Sequence, residues 1–270
     1  MEETTLMTTS IEQAYLPEAG PPRRWHFGLI LPALFQPRQT FARIAAIDRG
    51  MVSTPLFVLA LLAVLSALVA GSIKEVAAAS GQFELPPGFE YYTPEMQAQF
   101  MQAMTATSGP VFLYVLPAIM AALGVIAGWL VVGWLLHLLL TLMGGRSSSR
   151  QTLNMVAWAG LPFAVLHAVR IGAMLSSDRL ISAPGLSGFV TGGEGTATIF
   201  AAALLALIDI FVLWHILLLV IGVRRGDTMP RLKAWTAVLF TVILVLLARA
   251  LPAVLAAQFT DIGIVRPIFF

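Results

Sequence analysis

The chain has 270 residues, of which 58% are hydrophobic and only 11% charged, with a net charge of +2 and no cysteine. A soluble domain carries about 25% charged residues, so the composition excludes a soluble core; with a mean hydropathy of +0.86, it indicates an all-α, polytopic integral membrane protein. The small charge, and the lack of any Lys/Arg tract interleaved with aromatics, argue against nucleic acid as a partner, and the missing cysteine excludes disulfides and thiolate metal sites.

The first residues, "MEETTLMTTSIEQAYLPEAGPP", are polar and slightly acidic, with no cleavable signal pattern. Pro17, Pro21 and Pro22 resist regular structure, so residues 1–28 are expected to form a flexible cytoplasmic arm. Next, "FQPRQTFARIAAIDRG" sets Phe41, Ile44 and Ala45 on one side and Arg38, Arg43 and Arg49 largely on the other. That pattern predicts an amphipathic entry helix over about 37–48. It lies either on the membrane surface or against the protein's own helix ends.

A span needs about 20 mainly apolar residues to cross the hydrocarbon core. Five stretches qualify, at about 53–73, 110–143, 151–176, 196–222 and 230–258. The second is longer than one crossing needs, which implies tilt, protrusion or a kink at Pro117; Pro162 and Pro252 lie inside the third and fifth. In lipid the backbone must satisfy its own hydrogen bonds, so all five are expected as helices in one bundle, within a membrane domain at 29–258.

The connections differ. "LMGGRSSSRQ" and "GVRRGDTMPR" are short, so the spans they join are expected as antiparallel neighbours. Asp227 or Thr228, followed by Pro230, suits the start of the last helix. The external loop at 74–109 holds a short helix that Thr93 caps, Pro94 starts and Glu95 supports. Met96, Phe100, Met101 and Met104 share one face of it, a candidate partner-docking surface. The glycine-rich "SDRLISAPGLSGFVTGGEGTA" is expected to be mobile, and 259–270 to form an external tail. Eleven Lys/Arg residues fall on the N-terminal side of the membrane and three on the other, which puts the N terminus in the cytoplasm and the C terminus outside.

Asp209 stands out. It lies about 12 residues, or about 18 Å, into the fourth span, near the midplane. An ionised Asp there costs about 2.5–3.5 kcal/mol, so it should meet a donor or stay protonated. Candidate donors are His167 and Arg170 on the third span and Arg249 on the fifth. The simpler reading is a polar pair that sets helix register. The sharper one is a cluster that moves protons or ions, and a third is a polar face that docks another protein's span. A metal site is weaker still, because zinc wants three or four convergent ligands and no two intramembrane histidines share a span.

Enzyme motifs are poor: there is no H-E-x-x-H, no second deep Asp for a paired-aspartate protease, and no G-x-S-x-G on a strand-to-helix turn. No cofactor is expected. Gly124 and Gly128, four apart, with Gly133 following and Pro162 on the next span, mark helix packing, within the chain or between two copies of it.

Three stretches together resemble a family. "LFQPRQTFARIA" (34–45) is similar to the P-x-x-T-F-x-x-I entry of bacterial Yip-domain membrane proteins. "GGRSSSRQTLNMVAWAGLP" (144–162) resembles their glycine-rich turn and proline-bearing span, and "IDIFVLWHILLLVIGVRRG" (208–226) their D-x-F-x-x-W segment. The resemblance implies a five-span, non-enzymatic adaptor, scaffold or accessory subunit. Its partners would be the lipid bilayer and other integral membrane proteins, with ABC-type exporter subunits or a second copy among them, in a bacterial inner membrane. It supplies no catalytic residue. The short arm lacks a GTPase-binding signature, so Rab binding is not carried over. The competing expectation is a small transporter or channel that uses Asp209, His167 and Arg170.

Overall fold

The computed structural model describes residues 25–47, 49–80, 89–181, 185–190, 195–227 and 229–263. Most of the expected arm, Thr228, and most of the expected external tail lie outside these residues, as do parts of the two loops expected to be external. The described chain is helical, with no strand. A 3-10 turn at Phe27–Leu29 leads into α1 (Ile30–Phe35) and α2 (Pro37–Ala46). The first span is α3 (Ser53–Ala79), and α4 (Pro94–Thr107) follows in the connection to the second span. The second span is a π-helical stretch at Val111–Val115 continuing as α5 (Leu116–Leu142). The third is α6 (Ser149–Ala159) with α7 (Leu161–Ser177). α8 (Thr196–Ala206) and α9 (Ile210–Gly226) form a pair, and α10 (Arg231–Gly263) ends the described chain.

Four helical stretches are long and apolar enough to cross a membrane, at Ser53–Ala79, Val111–Leu142, Ser149–Ser177 and Arg231–Leu255. The fourth expected span is not one rod, because α8 and α9 meet at 64° across a three-residue break. Large apolar side chains remain exposed along α3, α5, α9 and α10, among them Phe57, Leu65, Ile119, Trp134, Leu213 and Phe240. Such a surface belongs in lipid.

The third span is the central post. Of its most apolar window 61% is buried inside the chain, against 0–22% for the other three continuous spans. Met155–Ala159 and Leu161 are almost wholly enclosed, and Trp158 is the largest fully buried side chain. α6 packs on α5, α9 and α2, and α7 packs on α3 and α9.

Two local devices follow from proline chemistry. Pro117 has no N–H for the Leu113 carbonyl, and its ring crowds the preceding turn. The chain answers with the π-helical Val111–Val115. The expected kink at Pro117 is therefore a widened turn just before it. Pro162 stands in the first turn of α7, directly after Gly160 separates α6 from α7.

The entry helix takes the second of its two expected positions. Thr40, Phe41 and Ile44 are buried, and α2 lies along α9 and beside α6, with Arg38, Gln39 and Arg43 outward. Enclosing a Phe or Ile side chain contributes about 1.5–3 kcal/mol over leaving it in water, so two of them hold the helix to protein. Residues 25–28, expected as the end of a free arm, are docked. His26 N–H donates to Thr54 Oγ1 at 2.8 Å, and Trp25 and Phe27 pack on Phe57.

Candidate functional site

Asp209 is not inside a continuous helix. Its backbone is extended (φ −135°, ψ 178°), and its Oδ1 accepts the Val212 N–H at 2.9 Å as the N-cap of α9. A carboxylate at an N-cap satisfies an orphan amide and meets the positive end of the helix dipole. The chain thus supplies the donor locally, from the break itself. The other side of the break is also served. Leu186 N–H, from the preceding loop, donates to Leu205 O at 2.8 Å. Gly185 approaches so closely, at φ +52°, that a Cβ would stand 2.6–2.8 Å from the carbonyl oxygens of Ala206, Leu205 and Ile208.

The expected partners of Asp209 do not reach it. His167 and Arg170 lie one turn apart on α7, both half-buried, and His167 Nδ1 and Arg170 Nε are enclosed without a hydrogen-bond partner. Arg249 is exposed on α10. No hydrogen bond or ion pair among the described residues joins Asp209 to any of the three, so the four-residue cluster is not assembled. The geometric reason is the 64° bend, which makes Asp209 a helix terminus rather than a side chain on a helical face.

A cap retains most of its strength with an amide in place of the acid, because Asn caps about as well as Asp. Asp209→Asn is therefore expected to melt within about 0.5 kcal/mol of wild type, and Asp209→Ala to lose about 1 kcal/mol. Equilibrium unfolding of the detergent-solubilised variants checks this, and an Asn variant as damaged as the Ala variant would point to a role for the charge itself.

The polar side chains that do converge are on α6. Gln151, Asn154 and Trp158 follow at i, i+3 and i+7 and share one helical face. Gln151 Nε2 donates to Ala45 O at 3.1 Å. Asn154 Nδ2 donates to Arg49 O at 2.7 Å, and its Oδ1 accepts the Met51 N–H at 2.9 Å. Trp158 Nε1 donates to Met51 O at 2.9 Å. One face of the central post therefore clasps the backbone of the linker between α2 and α3. That linker belongs to no helix, so its amides and carbonyls need side-chain partners once buried. On the opposite flank, Trp129 Nε1 donates to Leu153 O at 2.9 Å.

His215 performs a similar task at the Pro162 break. Its Nδ1 stands 2.7 Å from Ala159 O, and a carbonyl can only accept, so Nδ1 carries the proton. Pro162 has no N–H, and Phe163 N–H turns to Gly160 O, which leaves Ala159 O open to the imidazole. The ring is buried and packs on Phe163 at 5.0 Å.

Loop residues follow the same rule. Asp227 Oδ2 accepts the Arg146 N–H at 2.9 Å and the Ser147 N–H at 3.4 Å, tying the fourth–fifth connection to the second–third. Asp227 is the C-cap residue of α9, not the start of the last helix. Lys233 Nζ donates to Met143 O at 3.0 Å, across the same pair of loops.

The small residues divide. A Cβ on Gly133 would strike Leu153 Cδ2, so Gly133 admits α6 against α5. Gly124 and Gly128 are exposed with nothing within 4 Å, so the close packing expected of them within the chain is absent. Their face of α5 points away from the bundle. A third glycine, Gly71 on α3, marks a close crossing with the second span. A Cβ there would meet Leu113 O and stand 2.8 Å from the Tyr114 ring. Leu113 O is the carbonyl that Pro117 leaves without its usual donor. Tyr114 also donates its hydroxyl to Glu75 Oε2 beside this crossing.

In the loop helix α4, Thr93 accepts the Met96 N–H as the N-cap, with Pro94 and Glu95 in the first turn. Met96 and Met101 are exposed, whereas Phe100 turns onto Phe89 at 5.3 Å and Met104 is half-buried. The expected four-residue face is thus split. Among the described residues, no three His, Cys, Asp or Glu side chains converge to hold a metal ion.

A family model, the Yip1 domain, matches residues 33–252. The chain belongs to the Yip1-domain family. The match begins in α1 and ends in α10, so it takes in the docked entry helix, the central post and the broken pair. Comparisons with curated proteins and with solved structures gave no match for this Yip1-domain protein. The polar residues singled out by charge (His167, Arg170 and Arg249) contribute no described hydrogen bond. Gln151, Asn154, Trp158, His215 and Asp227, none of them a candidate site residue by charge, supply seven of the described bonds between elements. Their signal was spacing on one face of α6, and a proline in a span that needs a donor from its neighbour.

Proposed function

We propose that this integral, multi-pass Yip1-domain protein is a non-enzymatic adaptor or scaffold of a membrane complex. The observation that carries the reading is the use made of buried polarity. Asn154, Trp158, His215 and Asp209 are each bonded to backbone, which leaves them as struts rather than as reactive groups. An enzyme or a carrier would keep such groups free to meet a substrate. The exposed methionines of α4 offer an adaptable external surface, since Met side chains suit variable partners. ABC-type exporters are the partner class that the family resemblance suggests, with the basic loops on the cytoplasmic side of a bacterial inner membrane.

A second reading, a small transporter, has one observation in its favour. A span broken near mid-bundle, with two unpartnered polar atoms on the neighbouring α7, is how many carriers build a binding site. One experiment separates the two. The full chain is solubilised in mild detergent, resolved by native electrophoresis, and also reconstituted into liposomes. The scaffold reading expects stoichiometric co-migration with a second membrane protein and no ion or solute flux above empty vesicles. Migration alone, together with flux that Arg170→Gln abolishes, would establish the transporter.

A further inference from the structure

Two small cavities lie side by side at the end of the bundle that carries the basic loops. The first, of about 230 Å³, is lined by Ala45, Ala46, Ile47, Arg150, Gln151 and Asn154. The second, of about 280 Å³, is lined by Val52, Trp129, Leu153 and Gly50, and shares Arg150 and Asn154 with the first. Arg150 therefore stands where the two meet. The first cavity is mainly polar in its walls; the second runs up against the apolar side chains of Trp129 and Leu153 on two spans and of Val52 in the linker.

Two of the other polar side chains at this junction are spent. Gln151 is held by Ala45 O, and Asn154 by Arg49 O and the Met51 N–H. The Arg150 guanidinium is exposed and, among the described residues, makes no hydrogen bond or ion pair. The surroundings reinforce its charge. Arg49, Arg146, Arg224, Arg225 and Arg231 lie at the same end, and the nearby acid Asp227 is committed to the Arg146 and Ser147 amides. The Ala45 carbonyl, which would repel an anion at the end of α2, is already occupied by Gln151.

A free guanidinium at the membrane end of a bundle, between a polar cavity and an apolar one, matches one molecule type. We propose that this is an anionic phospholipid site. The phosphate is held by Arg150 over the first cavity, and the upper part of an acyl chain lies in the second against Val52, Trp129 and Leu153. Arginine pairs with phosphate through two parallel donors, and basic pockets between spans select anionic headgroups. The site sits against the linker that α6 clasps, so a bound lipid would brace the same segment from outside.

The test uses the full chain in dodecyl maltoside micelles, titrated with phosphatidylglycerol, phosphatidylcholine or glycerol 3-phosphate and read by native mass spectrometry. The expected result is one tightly retained phosphatidylglycerol per chain, and phosphatidylcholine at least roughly tenfold weaker. Arg150→Gln should weaken phosphatidylglycerol roughly tenfold, whereas Arg225→Gln, outside both cavities, should change it less than about twofold. Glycerol 3-phosphate should fail to displace the lipid, because it has no chain for the second cavity. Equal binding of the two lipids, or of phosphatidylglycerol by wild type and Arg150→Gln, would overturn the site. Full displacement by glycerol 3-phosphate would make it a small-anion site and overturn the lipid assignment. Should Arg150→Gln fail to fold, Arg150→Lys serves instead, with partial loss expected and unchanged affinity contrary. Melting of the wild-type protein must also rise with phosphatidylglycerol and not with phosphatidylcholine.

Discussion

Asn154→Leu is expected to lower the unfolding free energy by about 3 kcal/mol. The substitution strips partners from two backbone groups at once, the Met51 amide and the Arg49 carbonyl. A buried polar group left unsatisfied costs about 1–3 kcal/mol, and Asn154 and Met51 are only 1% and 2% exposed. Trp158→Phe keeps most of the ring but loses the bond to Met51 O, and should cost about 1–2 kcal/mol. Both act on the same linker residue, so the double variant should cost less than the two single costs together. Denaturant titration of the purified protein in mixed micelles measures all three. Strict additivity would mean that the two side chains do not brace one segment.

The second large effect is expected at Gly71. Gly71→Val places a branched side chain against Leu113 O and the Tyr114 ring. Leu113 O is backbone and cannot swing aside, so α3 and the second span must separate. Overpacking of this kind costs about 1–3 kcal/mol, and loss of the neighbouring Tyr114–Glu75 bond adds to it. Gly133→Ala meets only the flexible end of Leu153 and should cost about 1 kcal/mol or less. Gly124→Val and Gly128→Val meet nothing and should melt within about 0.5 kcal/mol of wild type in dilute micelles. A large loss at Gly124 or Gly128 under those conditions would show that a second copy packs there, the arrangement that the spacing of the two glycines also allows.

The contrast among these glycines shows what could be read from the sequence. Four continuous spans were legible because a stretch of about 20 apolar residues in lipid has only one stable form; the remaining expected span is the bent pair α8 and α9. The entry helix was legible too, since Phe41 and Ile44 repeat at helical spacing; which surface it covers depends on Gly222, whose missing side chain gives the Phe41 ring its place. Small-residue spacing alone could not say which glycine meets a neighbour. Gly133 and Gly71 do, Gly124 and Gly128 do not, and the difference lies in how the helices cross.

Asp209 was misread for a related reason. No glycine or proline marks the break at Leu207–Asp209, and the flanking residues are good helix formers, so the apolar run looks continuous. The acid itself was the mark, as an N-cap residue followed by a helical stretch. Attention to charge also passed over the neutral donors. An amide or an indole costs far less to bury than an ion and can serve the backbone equally well. The break between α6 and α7 leaves the Ala159 carbonyl in need of a donor, and His215 on a neighbouring helix is that donor.

The third span holds the linker between α2 and α3 by its backbone, with Asn154 as the principal contact. Hydrogen–deuterium exchange at the Met51 amide tests it most directly, since that amide lies outside any helix and Asn154 Oδ1 is its acceptor. The account predicts strong protection of Met51 in the wild-type protein, with exchange rising to the rate of the neighbouring Gly50 amide in Asn154→Leu. Rapid exchange in the wild type, or undiminished protection in the variant, would contradict it.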